Sequence, residues 1–204
     1  MNNRNHWDDI YRTKNPAETS WYAPHLDRSL ALIRSAVLDY SAAIIDVGGG
    51  QSTLVDDLLA EGYLDLTVLD LSSQAIDANR KRMGAAAAHV CWLTGDITTI
   101  QLEPQRYDLW HDRAAFHFLV QPEQRRAYTA RLAAALKPGG HAVIATFGPQ
   151  GPEQCSGLPT CRYDAETIQA EFSPDFRLME STIEQHQMPF GAAQQFLYCH
   201  FLRA

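Results

Sequence analysis

The chain has 204 residues, 46% of them hydrophobic and 20% charged, a composition that fits one globular domain with a sizeable core. Its net charge of −7 argues against nucleic acid as a partner, because that affinity rests on Lys and Arg neutralising phosphates. No apolar run approaches the ~18 residues of a membrane span, and the polar start Met1-Asn2-Asn3-Arg4-Asn5-His6 lacks the apolar core of a secretion signal, so a cytoplasmic location without a membrane partner is expected.

Residues 1–25 are polar with interspersed aromatics, Trp7, Tyr11, Trp21 and Tyr22. Leu26, Leu30, Ile33 and Val37 recur at helical spacing and predict a helix over 26–39. A strand over 44–47 follows, then a helix over 51–61 with Gly62 at its left-handed end. Leu66-Thr67-Val68-Leu69 reads as a strand ending at Asp70, and Ser72 as the cap of a helix over 73–83 closed by Gly84. Strands are expected over 89–93 and 107–111, and Pro122 suits the first turn of a helix running to Leu136. Lys137-Pro138-Gly139-Gly140 reads as a stop before a continuously apolar strand, 141–147. Residues 148–163 form a long loop, Asp164 caps a short helix to Phe172, and strands over 176–184 and 194–202 close the chain. The connection between the last two is too short for a crossover helix, so they are antiparallel neighbours, one of them inserted beside the fifth strand. The alternation predicts an α/β, doubly wound, mostly parallel sheet.

The four cysteines are Cys91, Cys155, Cys161 and Cys199. No pair has the two-residue gap of a zinc or redox motif, and no metal site is expected. Cys91 and Cys199 lie in apolar strand-like runs and are expected in the core. Cys155 and Cys161 lie in the 148–163 loop. Thiolates are soft ligands for a metalloid such as arsenite, but two cysteines without a third nearby favour ordinary loop residues.

Chemistry concentrates at Asp46-Val47-Gly48-Gly49-Gly50-Gln51-Ser52, an apolar strand followed by glycines and a helix. Glycines permit a sharp turn and close ligand approach, and the helix directs free N–H groups at the same place. This is the form of a nucleotide-binding βα turn. A dinucleotide fingerprint needs a further Gly or Ala where Thr53 stands, which weakens an NAD reading. Asp70, 20 residues after Gly50, suits a ribose diol, since a carboxylate accepts from both hydroxyls.

The series Asp46–Gly50, Asp70, Gly95-Asp96-Ile97, Tyr107-Asp108-Leu109-Trp110-His111 and Leu136-Lys137-Pro138-Gly139-Gly140 resembles class I S-adenosylmethionine-dependent methyltransferases over residues 44–147, about half of the chain. The resemblance implies a seven-stranded Rossmann-like sheet with an antiparallel C-terminal strand, and S-adenosyl-L-methionine as cofactor. It places Asp46 and Gly48, Gly49 and Gly50 around the methionine part, Asp70 on the ribose with Leu71 against the adenine, Asp96 on the adenine amino group with Ile97 beside it, and His111 toward the methionine end. The aromatic start resembles that of methyltransferase-like protein-lysine methyltransferases, which makes Tyr11 and Trp21 candidate lid residues. The implied organisation is one domain, 1–204: a lid and helix segment over 1–40, a cofactor core over 44–147, and a substrate side over 148–204.

Methyl transfer requires alignment and water exclusion, and a base only where the acceptor arrives protonated. His111, Asp112, His117 and His186 are the candidate bases. His186 is placed in the turn between the last strands, and Arg113 is read as pairing with Asp112 or binding an anionic substrate. A small-molecule acceptor is expected, with a protein lysine as the alternative; a non-catalytic cofactor-binding protein and a dehydrogenase rank below these.

Overall fold

The computed structural model describes residues 4–37 and 39–204. Its frame is a seven-stranded sheet: β1 (Ala43–Val47), β2 (Asp65–Asp70), β3 (Val90–Thr94), β4 (Tyr107–Arg113), β5 (Leu136–Phe147), β8 (Phe176–Gln187) and β9 (Ala193–Arg203). The strand order is β3-β2-β1-β4-β5-β9-β8. The first five strands are parallel, and β9 runs antiparallel between β5 and β8. The expected doubly wound sheet with an antiparallel C-terminal end is therefore the fold. Two short strands, β6 (Gln154–Cys155) and β7 (Leu158–Pro159), pair inside the 148–163 segment.

The central strands are apolar on both faces because helices cover both. One core gathers Leu30 and Ile33 of α2 (Asp27–Ala36) and Leu54 and Leu58 of α3 (Leu54–Glu61) against Ile44, Val68 and Leu109 of the sheet. The opposite core packs Tyr128 and Leu132 of α5 (Pro122–Ala135) and Ile168 and Phe172 of α6 (Ala165–Phe172) against Ile45, Trp110 and Ile144. Ser72 caps α4 (Ser73–Met83) by accepting from the Ala75 amide, and Gly62 ends α3 at φ 100° as a left-handed cap requires.

Several boundaries differ from the sequence reading. A helix α1 (Arg4–Thr13) lies in the segment read only as polar with aromatics; Trp7 and Tyr11, four apart, share its inner face. Helix α2 stops at Ala36, with Leu38 of the expected helix outside the described residues. Helix α3 starts only at Leu54 because residues 51–53 complete the glycine turn. The glycine-rich stop is a bulge rather than a boundary: β5 begins at Leu136, and pairing steps from Tyr107–Leu136 to Leu109–His141. His186 lies within β8 rather than in the turn after it. Cys199 is buried as expected, but Cys91 is exposed, because β3 is an edge strand with a single neighbour. Among the described residues no helix is long and apolar enough to cross a membrane.

Candidate active site

The carboxyl ends of the parallel strands open onto a cleft of about 1050 Å3, open mouth included. A smaller lobe of about 550 Å3 continues from it past Asp46 and His111. Tyr11, Trp21, Gly48 and Arg113 border both lobes.

The turn after β1 is shaped by what lies against it. Gly48 and Gly50 have φ of 71° and 51°, a region side chains resist. A Cβ at Gly48 would stand 2.5 Å from that of Ala115, and one at Gly50 would collide with the Tyr11 hydroxyl. The Gly50 amide donates to Asp70 Oδ2 at 2.8 Å, and the Ser72 amide to Asp70 Oδ1 at 2.8 Å. Each oxygen keeps acceptor capacity. Burial raises the Asp70 pKa to about 6; the two amides oppose the rise, and the charges of Asp46 and Asp8 add to it. After β3, Asp96 Oδ1 accepts from the Thr98 amide and hydroxyl at 2.8 and 2.6 Å, with Leu71 and Ile97 on the same cleft wall.

Helix α1 roofs this side. Asp8 accepts from the Ser72 hydroxyl at 2.5 Å, which places a carboxylate at the positive end of α4. Trp7 meets Trp21 and Phe118 edge-on at centroid distances of 5.9 and 5.0 Å, with Tyr11 at 6.1 Å.

The four residues read as candidate bases have different surroundings. His111 is buried; its Nδ1–H donates to Asp46 Oδ1 at 2.7 Å, and its Nε2 accepts from the Ser29 hydroxyl at 2.9 Å. The proton belongs on Nδ1 because a carboxylate only accepts. Asp112 is buried and accepts from the Ala115 and Phe116 amides and, at 2.7 Å, from the Tyr128 hydroxyl; burial raises its pKa to about 6 against these bonds. His117 occupies a short helical turn, Phe116–Phe118. Its Nδ1 accepts from the Phe147 amide at 3.1 Å, and its buried Nε2 has no hydrogen-bond partner among the described residues. Burial, and then the charge of Arg113, lower its pKa to about 3. His186 donates through Nε2 to the Ser20 carbonyl at 3.0 Å; its pKa is lowered, by burial first.

Arg113 does not pair with Asp112. Its Nε donates to the Tyr198 hydroxyl and its Nη1 to the Trp21 carbonyl, at 2.9 and 2.8 Å, and the guanidinium lies over the Phe196 ring at 4.5 Å. Cys155 lines the cleft, its thiol 3.8 Å from Ser20 Oγ, while the Cys161 thiol is 4.0 Å from Arg125. Among the described residues no group of three or more His, Cys, Asp or Glu could hold a metal.

Comparison with known proteins gives this geometry a family. A methyltransferase domain matches residues 44–140. Nodulation protein S of Rhizobium tropici is 30% identical over 138 residues, 67% of this chain and 54% of its own length. Human EEF1A lysine methyltransferase 2 is 20% identical over 194 residues, 88% of this chain and 76% of its own. The crystal structure of the N-methyltransferase NodS from Bradyrhizobium japonicum, in complex with S-adenosyl-L-homocysteine, superposes with a TM-score of 0.75 at 18% identity, covering 100% of this chain and 99% of that one. Residues 44–140 are thus similar to the methyltransferase domain, and the chain has the Rossmann-like fold of the class I S-adenosylmethionine-dependent methyltransferases.

The chain spans about half the length of the ubiquinone/menaquinone C-methyltransferase and nodulation relatives it matches. Its cleft gathers Tyr11, Trp21, Gly48, Asp70, Leu71, Asp96 and Ile97, with Asp46, Gly49 and His111 on the smaller lobe and Gly50 under Tyr11. Asp112 and His117 are not on the cleft surface. Sequence reasoning missed Ser29, Phe147 and Phe196. Each sits in an unremarkable apolar or helical run, and no local signal marks it.

Proposed function

We propose that this methyltransferase transfers the methyl group of S-adenosyl-L-methionine to a small-molecule acceptor. The observation that carries the reading is the roofed cleft: besides the strand-end residues it is lined by Trp7, Trp21, Phe118, Phe147, Cys155 and Phe196, drawn from both ends and the middle of the chain, which suits a compact acceptor. When bound, the cofactor supplies a methyl group already activated by a positive sulfur and departs as S-adenosyl-L-homocysteine.

The residues present fit that group. Asp70 has acceptor capacity left for two ribose hydroxyls, and Gly48 and Gly50 leave the space a Cβ would fill. Leu71 and Ile97 would flank the adenine, Asp96 accept from its amino group, and Asp46 with the Gly48–Gly50 backbone surround the methionine part. Tyr11 and Trp21 present π faces, worth about 0.5–2 kcal/mol toward a cation. In this reading His111 positions Asp46 instead of moving a proton, since both ring nitrogens are engaged. Asp112 and His117 brace the chain after β4. The catalytic work is alignment and exclusion of water.

A protein-lysine acceptor is the second reading, favoured by the similarity to the human lysine methyltransferase over 88% of the chain. The positive Arg113 in the pocket disfavours a lysine ammonium beside it. Calorimetry tests the core of the proposal: S-adenosyl-L-methionine binds and NAD does not. Tight NAD binding with no S-adenosyl-L-methionine binding would reverse it.

A further inference from the structure

Arg113 is the unusual residue of the cleft. It is half-buried, and no carboxylate among the described residues forms an ion pair with it. A guanidinium has five N–H donors. Two are taken, by the Tyr198 hydroxyl and the Trp21 carbonyl, and three remain at a wall that borders both lobes. Its orientation is fixed rather than free. Tyr198 OH holds Nε from below, Trp21 holds Nη1 from the lid side, and the Phe196 ring lies beneath the guanidinium plane at 4.5 Å. The guanidinium charge adds to burial in lowering the pKa of both His117 and His186. A partly desolvated cation without a counter-charge is costly to hold, and a planar fork with paired free donors matches a carboxylate or phosphate.

We propose that Arg113 binds an anionic group of the methyl acceptor, so that the acceptor is a carboxylate or phosphate compound whose apolar part lies against Phe118, Phe147 and Phe196. The inference rests on the methyltransferase reading above and narrows its substrate class. A second source of the same anion is the carboxylate of the cofactor itself, since Arg113 also borders the smaller lobe. The aromatic wall that carries the guanidinium lines only the larger one, which favours the acceptor.

The test uses the full chain saturated with S-adenosyl-L-homocysteine and follows the fluorescence of Trp7 and Trp21, which line the cleft. Benzoate and phenyl phosphate are the anionic probes and benzamide the neutral one. At least one anion should bind about tenfold or more tighter than benzamide, consistent with a charge-assisted pair, and the tighter of the two distinguishes carboxylate from phosphate. Arg113→Gln should bring the probes to parity while S-adenosyl-L-homocysteine affinity stays within about threefold. Equal binding of all three probes by the unaltered protein would overturn the proposal. So would a preference that survives Arg113→Gln, or a variant that loses S-adenosyl-L-homocysteine instead of the anion preference. If Arg113→Gln does not fold, the anion-to-benzamide ratio in the unaltered protein decides. Failure of S-adenosyl-L-homocysteine to bind the unaltered protein would sink the methyltransferase reading itself, a different result.

Discussion

On one side of the cleft, Asp46, Asp70 and Asp96 stand at the ends of three strands adjacent in sheet order, β1, β2 and β3, with glycines between them and Asp8 added by α1. On the other side, Arg113 is held by Trp21 and Tyr198 and stacked on Phe196, with Phe147 and Cys155 completing the wall. The first side is negative and built largely from backbone turns of short sequence span. The second is positive and aromatic, and exists only once segments from residues 21, 113, 155 and 196 have met. A cofactor shared by a family can be read by local turns. An acceptor particular to one member is read by tertiary assembly.

The largest effect should fall on the brace beneath both sides. Asp112→Ala leaves the amides of Ala115 and Phe116 and the Tyr128 hydroxyl without their acceptor, a loss of about 3–5 kcal/mol in urea unfolding. A loss below 1 kcal/mol would mean that this carboxylate is not the brace described. Next, Asp70→Ala should weaken S-adenosyl-L-methionine about 100-fold, or ~2.7 kcal/mol, with the fold intact by circular dichroism. Unchanged affinity would break the division between a cofactor side and an acceptor side.

Titration sharpens the same contrast. The Asp70 pKa is raised to about 6 in the fold, above its unfolded value near ~3.9. Its contribution to stability is therefore fully present below the unfolded value and lost as pH rises through about 6. The ribose hydroxyls need the ionised form, so cofactor affinity should fall as pH drops through about 6, by up to tenfold per unit below it. Calorimetry from pH 8 to 5 reads this directly, and an affinity flat across that range would exclude Asp70 as the acceptor. The smallest effect belongs to Gly50→Ala. A Cβ there meets both a left-handed φ and the Tyr11 hydroxyl, and should cost about 1–2 kcal/mol, seen as a lowered Tm and increased protease cleavage within α1.

The mostly parallel sheet, its antiparallel end and most elements were legible because strands alternate with helices and α3, α4 and α6 carry a cap or a terminal glycine. The positions of Gly48–Gly50, Asp70 and Asp96 at strand ends were legible for the same reason, while the cofactor roles proposed for them rest on the family resemblance. Helix α1 was not legible, because its apolar face is only Trp7, Ile10 and Tyr11 in an otherwise polar run. Cys91 misled because an apolar run does not disclose which strand lies at a sheet edge. Arg113 was read as pairing with Asp112 or binding an anionic substrate, and the sequence did not choose between the two. Its partners are 85 and 92 positions away, and no local pattern anticipates that separation.

The central claim is methyl transfer to a small molecule, and one measurement addresses it most directly. The full chain is incubated with methyl-labelled S-adenosyl-L-methionine and a cell extract separated into small-molecule and protein fractions. The expected result is label in the small-molecule fraction, dependent on the intact Asp70. Label confined to the protein fraction, on lysine, would contradict it.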